Sequence, residues 1–147
     1  MNQLTGEYKN TLDEKGRLSL PARMRGELLD TGLVLTRGVD TCLWLFPARQ
    51  WADFSQKLLA ATSPFQAKSR LIQRRILAPA ADIELDRLGR ISIPQSLRES
   101  ANLSRECVIL GISRYIEIWS AEEYRKYLDE HEAEFLDAAE TLGDLTL

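Results

Sequence analysis

Apolar and polar positions alternate in two short segments that lie 73 residues apart. Residues 18–20 (Leu-Ser-Leu) and 91–93 (Ile-Ser-Ile) have the spacing of half-buried strands, because successive side chains of a strand point to opposite faces. A proline follows each segment, at Pro21 and Pro94, and proline is favoured in the first turn of a helix. We therefore predict a strand followed directly by a short helix at both places.

The same offset aligns a much longer stretch of the chain with itself, without a gap. Apolar positions keep their character across the two copies, and nine pairs of positions are identical. The identical pairs are Leu12/Leu85, Asp13/Asp86, Gly16/Gly89, Arg17/Arg90, Ser19/Ser92, Pro21/Pro94, Arg25/Arg98, Gly38/Gly111 and Ala48/Ala121. We interpret the chain as a tandem repeat whose two units bury one core together.

Each unit also contains two further apolar segments with a glycine between them, which predicts a hairpin. The hairpin strands span residues 33–36 and 43–46 in the first unit and 108–110 and 115–119 in the second, with Gly38 and Gly111 in the turns. Amphipathic segments predict helices over residues 48–61 and 64–77 between the units, and over 121–139 after the second unit.

The motif Asp-x-x-Gly-Arg comes just before the first predicted strand of each unit. An aspartate can accept hydrogen bonds from the amides of a turn, and a glycine can take the positive φ that other residues resist. The arginine offers a planar set of donors that suits phosphate oxygens or guanine. The candidate turn-shaping residues are Asp13, Gly16, Asp86 and Gly89, and the candidate DNA-binding residues are Lys15, Arg17, Arg87 and Arg90.

The motif by itself leaves two interpretations open. An aspartate and an arginine four residues apart can pair with each other and simply hold a hairpin, or the arginine can contact a ligand. Duplication does not decide between them, because a structural device would be duplicated as well.

The charge is unevenly distributed along the chain. The net charge of −3 argues against a nucleic-acid partner, but residues 1–78 hold 12 Lys/Arg against 7 Asp/Glu, a net of +5, whereas residues 79–147 hold 7 against 15, a net of −8. An acidic C-terminal segment lowers the overall charge of a protein whose binding face is locally basic. The net charge therefore does not exclude DNA binding.

Other classes of site find little support in the sequence. The single histidine, His131, lies among acidic residues and no Cys-x-x-Cys occurs, so we expect no metal and no cofactor. Cys42 and Cys107 follow the pattern of buried, reduced thiols. With no nucleophile elbow and no phosphate loop, we expect neither an enzyme nor a small-molecule substrate. No apolar run is long enough to span a bilayer and no secretory signal opens the chain, so we expect a soluble, cytoplasmic protein without a membrane partner.

The duplicated turns resemble the MraZ family of transcriptional regulators, which have tandem SpoVT-AbrB-like domains. The most specific matches are residues 12–21 and 73–77, joined by 110–111 and 117–119 in the second unit. The resemblance implies an α+β fold in which two AbrB-like swapped-hairpin units form a pseudo-dimeric β-barrel of the double-split type within one chain, with helices around it. It implies a first unit over residues 7–54, a helical connector over 55–79, a second unit over 80–123, and an acidic helix and tail over 124–147.

The resemblance also implies a function. Such a protein is a sequence-specific DNA-binding regulator, a repressor of its own division and cell-wall gene cluster, associated with the nucleoid. It binds repeated G-rich elements of promoter DNA as a homo-oligomeric ring. The second turn departs from the first, since Arg87-Leu88 replaces Glu14-Lys15, so the two turns need not contact DNA equally.

Two alternatives stay open on the residues. In one, the protein is an oligomeric scaffold or interaction protein whose Asp-x-x-Gly-Arg turns are structural. In the other, it is an antitoxin-like AbrB module with a protein partner. The tandem duplication weighs against the antitoxin, because such antitoxins carry one unit.

Overall fold

The computed structural model describes residues 3–28 and 31–146, which form a mixed α+β structure. The strands within these ranges are β1 Leu4–Thr11, β2 Arg17–Ser19, β3 Leu33–Arg37, β4 Leu43–Pro47, β5 Ala81–Ile83, β6 Arg90–Ser92, β7 Glu106–Ser113 and β8 Ile116–Ser120. The α-helices are α1 Ala22–Leu28, α2 Ala48–Ala61, α3 Ala67–Ile72, α4 Gln95–Ser100, α5 Ala121–Glu130 and α6 Glu132–Glu140. A π-helical turn, Gln73–Leu77, continues α3.

The two repeats exchange strands in a large antiparallel sheet of order β1-β7-β8-β4-β3-β5. Strand β1 of the first repeat pairs with β7 of the second, with Leu4 opposite Ser113. Strand β5 of the second repeat pairs with β3 of the first, with Leu33 opposite Ile83. The hairpin of each repeat is thus extended by the first strand of the other, and β4 pairs with β8 at the centre. The repeats are interlocked, as the swapped-hairpin prediction requires.

A second, two-stranded antiparallel ribbon pairs β2 of one repeat with β6 of the other. Leu18 lies opposite Ile91 at its middle, and both side chains are fully buried. The strands predicted over 18–20 and 91–93 are therefore confirmed, with each strand beginning and ending one residue earlier than predicted.

Apolar side chains of both repeats merge into one core. Helices α1 and α4 bury Met24, Leu28 and Leu97 in it, as the sequence predicts. Burial of each such side chain contributes about 1.5–3 kcal/mol. The fully buried members from both repeats include Leu18, Leu20, Met24, Leu28, Leu35, Leu43, Ile91, Ile109, Ile116 and Ile118. Neither repeat encloses this core without the other.

The prediction for the second hairpin glycine is wrong. Gly38 lies where the first hairpin turns, and its amide donates to the carbonyl of Cys42 (2.9 Å). Gly111, in contrast, lies inside β7. A Cβ built on Gly111 would come within 2.7 Å of Thr5 Cα in β1. Glycine is needed at this position because it leaves room for β1 of the other repeat, and not because the chain turns here.

The predicted helices are confirmed with two changes of extent. The helix over residues 48–61 is present with those bounds, whereas the helix expected over 64–77 begins only at Ala67. The helix expected over 121–139 is interrupted at His131, where φ is −115° and ψ is 15°. The backbone N and the ring Nδ1 of His131 lie 3.1 and 2.7 Å from the same carbonyl oxygen, that of Tyr127. At the break, the imidazole and the backbone amide of His131 therefore share one carbonyl oxygen of the helix.

Candidate nucleic-acid interface

The first Asp-x-x-Gly-Arg turn is held by its aspartate. Asp13 Oδ1 accepts hydrogen bonds from the amides of Lys15 (3.0 Å) and Arg17 (2.8 Å). Its carbonyl accepts from the amide of Gly16 (3.0 Å), which has a φ of +80°. The carboxylate and the glycine together define the bend that leads into β2.

The second turn repeats this geometry. Asp86 Oδ1 accepts from the amides of Leu88 and Arg90, both at 2.9 Å. Gly89 has a φ of +77°, and its amide donates to the carbonyl of Asp86 (3.0 Å). Two chain segments 73 residues apart therefore form the same turn.

Each motif arginine forms an ion pair with the aspartate of its own turn. Arg17 Nε lies 2.7 Å from Asp13 Oδ2, and Arg90 Nε lies 2.7 Å from Asp86 Oδ2. The side chains of Arg17 and Arg90 keep 32% and 26% of their surface exposed. Because the bond uses Nε, the terminal amino groups of both guanidiniums stay outside the pair. The turn thus orients the arginine and leaves donors for a ligand.

Hydrogen bonding lowers the pKa of both aspartates. For Asp13 the largest cause is the bond donated by the backbone amide of Arg17; partial burial opposes it, and the Arg17 side chain adds to the lowering. Asp86 follows the same pattern with Arg90. Both carboxylates are therefore ionised at neutral pH, and the turns keep their shape there.

The two arginines lie on one face of the β2–β6 ribbon. Arg17 is opposite Ser92, and Arg90 is opposite Ser19. Diagonal neighbours in an antiparallel pair are about 7–8 Å apart, and Arg17 and Arg90 stand in that relation. Because Leu18 between them points into the core, these four polar residues form the outer surface of the ribbon. We call Arg17, Ser19, Arg90 and Ser92 the ribbon face.

The turns project from opposite ends of the ribbon, since its strands are antiparallel. Lys15 and Arg87 are exposed there and form no ion pair with any described residue. The position equivalent to Lys15 in the second turn is Leu88, which is 66% exposed. The fold therefore brings all four candidate DNA-binding residues to the ribbon and its two ends.

The connector contributes differently from the turns. The guanidinium of Arg75 donates to the carbonyls of Gly38, Val39 and Asp40, at 3.2, 3.1 and 3.4 Å. It therefore holds the tip of the first hairpin, whereas Arg74 beside it is exposed. Of the basic residues in this segment, Arg75 therefore has a structural role.

The tryptophans and cysteines belong to the packed structure. The indoles of Trp44 and Trp119 both donate to the carboxylate of Glu117, at 3.0 Å each. Trp119 is buried, as expected for a core residue. Cys42 and Cys107 are free and buried, which confirms the thiol prediction, and burial raises the pKa of Cys107 to about 11.

Residues 3–28 and 31–146 contain no group of three or more His, Cys, Asp or Glu side chains arranged to hold a metal ion. None of their helices combines the length and the apolar character needed to cross a bilayer.

Two residues near the turns were not assigned from the sequence. Arg25 and Arg98 lie in α1 and α4 and pack against the turn glycines of the opposite repeat. The signal that could have found them is their identity in the tandem alignment, but sequence spacing did not show that each would reach the other unit.

The family model described as "MraZ protein, putative antitoxin-like" matches the chain twice, over residues 3–75 and 76–145. The chain belongs to the MraZ family. A protein of Treponema denticola named transcriptional regulator MraZ is 55% identical over 142 residues, covering 97% of this chain and 99% of that protein. Its namesake in Treponema pallidum (strain Nichols) is 53% identical over 146 residues, covering 99% and 98%. The namesake in Desulforamulus reducens is 42% identical over 141 residues, covering 95% and 97%.

Proposed function

We propose that this protein is a sequence-specific DNA-binding transcriptional regulator. The observation that carries the proposal is the ribbon face, where Arg17 and Arg90 are diagonal neighbours with their terminal amino groups outside the aspartate pairs. Relatives that match this chain along nearly its whole length are named transcriptional regulators. The free guanidinium donors of the ribbon face suit a phosphate backbone even on an acidic protein, because the local groups act on the ligand.

The proposed contacts divide between two kinds of residue. Arg17 and Arg90 supply paired donors for phosphate oxygens or for the acceptor edge of guanine, and Lys15 and Arg87 add charge at the two ends. The turn-shaping residues, Asp13 and Gly16 with Asp86 and Gly89, act through the arginines. Support for this division comes from the hydrogen bonds that bind each carboxylate to its own turn.

We further propose a repressor of its own division and cell-wall gene cluster that binds repeated G-rich promoter elements as a ring. The family resemblance supports this part. A single subunit offers only two arginines on the ribbon face, and so few phosphate contacts bind DNA weakly. Several linked subunits on repeated elements raise the effective concentration for each later contact. The protein would work at the nucleoid in the cytoplasm.

The finer architecture is part of the same proposal. We infer that the six-stranded sheet and the ribbon close into a barrel of the double-split type, which the strand exchange and the shared core support. The proposal keeps the division into units 7–54 and 80–123, with a connector 55–79 and a C-terminal segment 124–147. The last residue of that segment lies outside the described residues.

The test is a titration of a fluorescent fragment of the promoter upstream of the protein's own gene. Arg17→Ala should weaken binding about 5- to 150-fold, since loss of a bidentate arginine contact corresponds to about 1–3 kcal/mol. Arg125→Ala, an exposed arginine of α5, makes the same change of charge elsewhere and should bind like the unaltered protein. Equal binding by all three proteins contradicts the assignment.

The scaffold function has an observation in its favour, namely the ion pair of Arg17 with Asp13. If the turns only support the structure, Arg17→Ala lowers the melting temperature or the oligomer mass and leaves no separate effect on DNA. An exposed pair of this kind contributes about 0–1 kcal/mol, so we expect melting and light scattering to change little. A large loss of stability or of assembly favours the scaffold.

A further inference from the structure

Each repeat places an arginine from its short helix on the turn of the other repeat. Arg98 of α4 covers Gly16 of the first turn, and Arg25 of α1 covers Gly89 of the second. The two arginines occupy equivalent positions of the tandem alignment. The crossed arrangement is therefore built twice.

The contacts are close enough that a side chain on either glycine would have to displace the arginine. A Cβ on Gly16 would lie 2.5 Å from Arg98 Nη1 and 2.7 Å from Arg98 Cζ. A Cβ on Gly89 would lie 2.6 Å from both Cδ and Cζ of Arg25. Real atoms do not approach so closely, so the guanidinium occupies the space that a residue other than glycine would need. The turn glycines are required by their positive φ and by their neighbours alike.

Backbone hydrogen bonds link the same partners across the repeats. The amide of Leu20 donates to the carbonyl of Gly89 (3.0 Å), and the amide of Ile93 donates to the carbonyl of Gly16 (2.8 Å). Arg25 Nε donates in addition to the carbonyl of Leu20 (2.7 Å). The backbone of Leu20, just after β2, is thus hydrogen-bonded both to Arg25 and to the second turn.

The core determines where these arginines lie. Helix α1 buries Met24, next to Arg25, and α4 buries Leu97, next to Arg98. The core therefore fixes the backbone from which each arginine reaches the opposite turn.

We propose that Arg25 and Arg98 are positioning residues, each of which holds the DNA-contacting turn of the opposite repeat. The first turn then depends on Arg98, and the second depends on Arg25. Each turn presented for binding is therefore formed by residues of both repeats. The consequence for DNA rests on the proposed function, whereas the mechanical dependence between the repeats does not.

The decisive measurement is amide hydrogen exchange on the full-length protein without DNA. Arg98→Ala should speed exchange at Lys15–Arg17 about tenfold, a factor that reflects easier local opening of that turn, and leave residues 88–90 unchanged. Arg25→Ala should do the reverse. Faster exchange only within the substituted repeat, at both turns equally, or at neither, overturns the proposal.

Two exposed arginines provide matched controls. Arg23→Ala alters the same helix as Arg25, and Arg105→Ala alters the same repeat as Arg98; both positions are exposed. Neither should change exchange at either turn. A change as large as that of Arg25→Ala or Arg98→Ala would show that charge loss alone is responsible, and would overturn the crossed dependence.

Titration of the promoter fragment separates positioning from direct contact. Arg98→Ala should weaken binding about tenfold, and Arg98→Lys should fail to restore it, because an ammonium cannot replace a planar group packed on Gly16. Full rescue by lysine would indicate a charge contact with phosphate and overturn the positioning role. If the unaltered protein binds no DNA, the proposed function fails, and the exchange result still decides the inference.

Discussion

The two turns share their internal geometry and differ in their surroundings. The hydrogen bonds from backbone amides to the aspartate carboxylates measure 2.8–3.0 Å, and both ion pairs measure 2.7 Å. The glycine φ values are +80° and +77°. At the variable positions of the motif the two turns differ, since exposed Lys15 of the first turn is replaced by Leu88. The residues of the motif therefore suffice to define the turn, and the tip residues are free to diverge.

The supporting arginines differ as well. Arg25 Nε donates to the carbonyl of Leu20, whereas Arg98 Nε is buried with no hydrogen-bond partner among the described residues. A buried donor without a partner destabilises by about 1–3 kcal/mol. The arginine that holds the first turn is thus less well satisfied in hydrogen bonding than its counterpart at the second turn.

The largest expected effect concerns the hydrophobic core that the two repeats share. Leu18→Ala and Ile91→Ala should each lower the free energy of unfolding by about 2–5 kcal/mol, because both side chains are fully buried opposite each other in the ribbon. Urea denaturation measures both values. A loss below 1 kcal/mol at either position would contradict a core that the repeats share.

The next largest effect on stability concerns the two turn glycines. Gly16→Ala and Gly89→Ala should each destabilise by about 1–3 kcal/mol, because alanine resists a positive φ and its methyl would displace an arginine.

Gly26→Ala is the control for the glycine substitutions. Gly26 is an exposed residue of α1 with no atom within 4 Å of a built Cβ. There alanine should stabilise by about 0.5–1 kcal/mol, so the sign of the effect reverses. Gly16→Ala that is as stable as Gly26→Ala would refute the crossed packing.

The aspartates predict a dependence on pH. Their pKa values are lowered in the folded protein, so their stabilisation is fully present above the unfolded pKa of about 4. It is lost as the pH falls through the lowered folded pKa. The difference in unfolding free energy between the unaltered protein and Asp13→Asn should shrink over that acidic range, and Asp86→Asn should behave alike. A difference that stays constant with pH would contradict the prediction.

The smallest effect tests the difference between the tips. Lys15→Ala and Arg87→Ala should each reduce the slope of log affinity for DNA against log salt by about 1 if each residue meets one phosphate. Leu88→Lys should increase that slope, because it gives the second turn the cation of the first. Slopes that do not change in any of the three variants would remove both residues from the interface.

Local structure was largely predictable from the sequence. Helix α2 begins and ends at the predicted residues 48 and 61, because its apolar period and its flanking residues are local signals. The buried positions Leu18 and Ile91 follow from alternation alone. The turn residues Asp13 and Asp86 were found because their hydrogen bonds lie within five residues of the chain.

Features that depend on distant packing were not predictable. Gly111 looks like a turn glycine until β1 is known to pair beside it. The break at His131 lies inside a segment whose apolar period of 3.6 residues continues, so the sequence pattern does not show it. The crossing of Arg25 and Arg98 needs the strand exchange first, since in separate units each arginine would meet only its own turn.

The most direct test of the central claim is retention of genomic fragments by the purified protein at physiological salt. The account predicts that the unaltered protein enriches a fragment with repeated elements upstream of its own gene. It predicts that the double substitution Arg17→Ala with Arg90→Ala abolishes the enrichment, while Arg125→Ala preserves it. Equal enrichment by the double variant, or no enrichment by the unaltered protein, would contradict DNA recognition through the ribbon face.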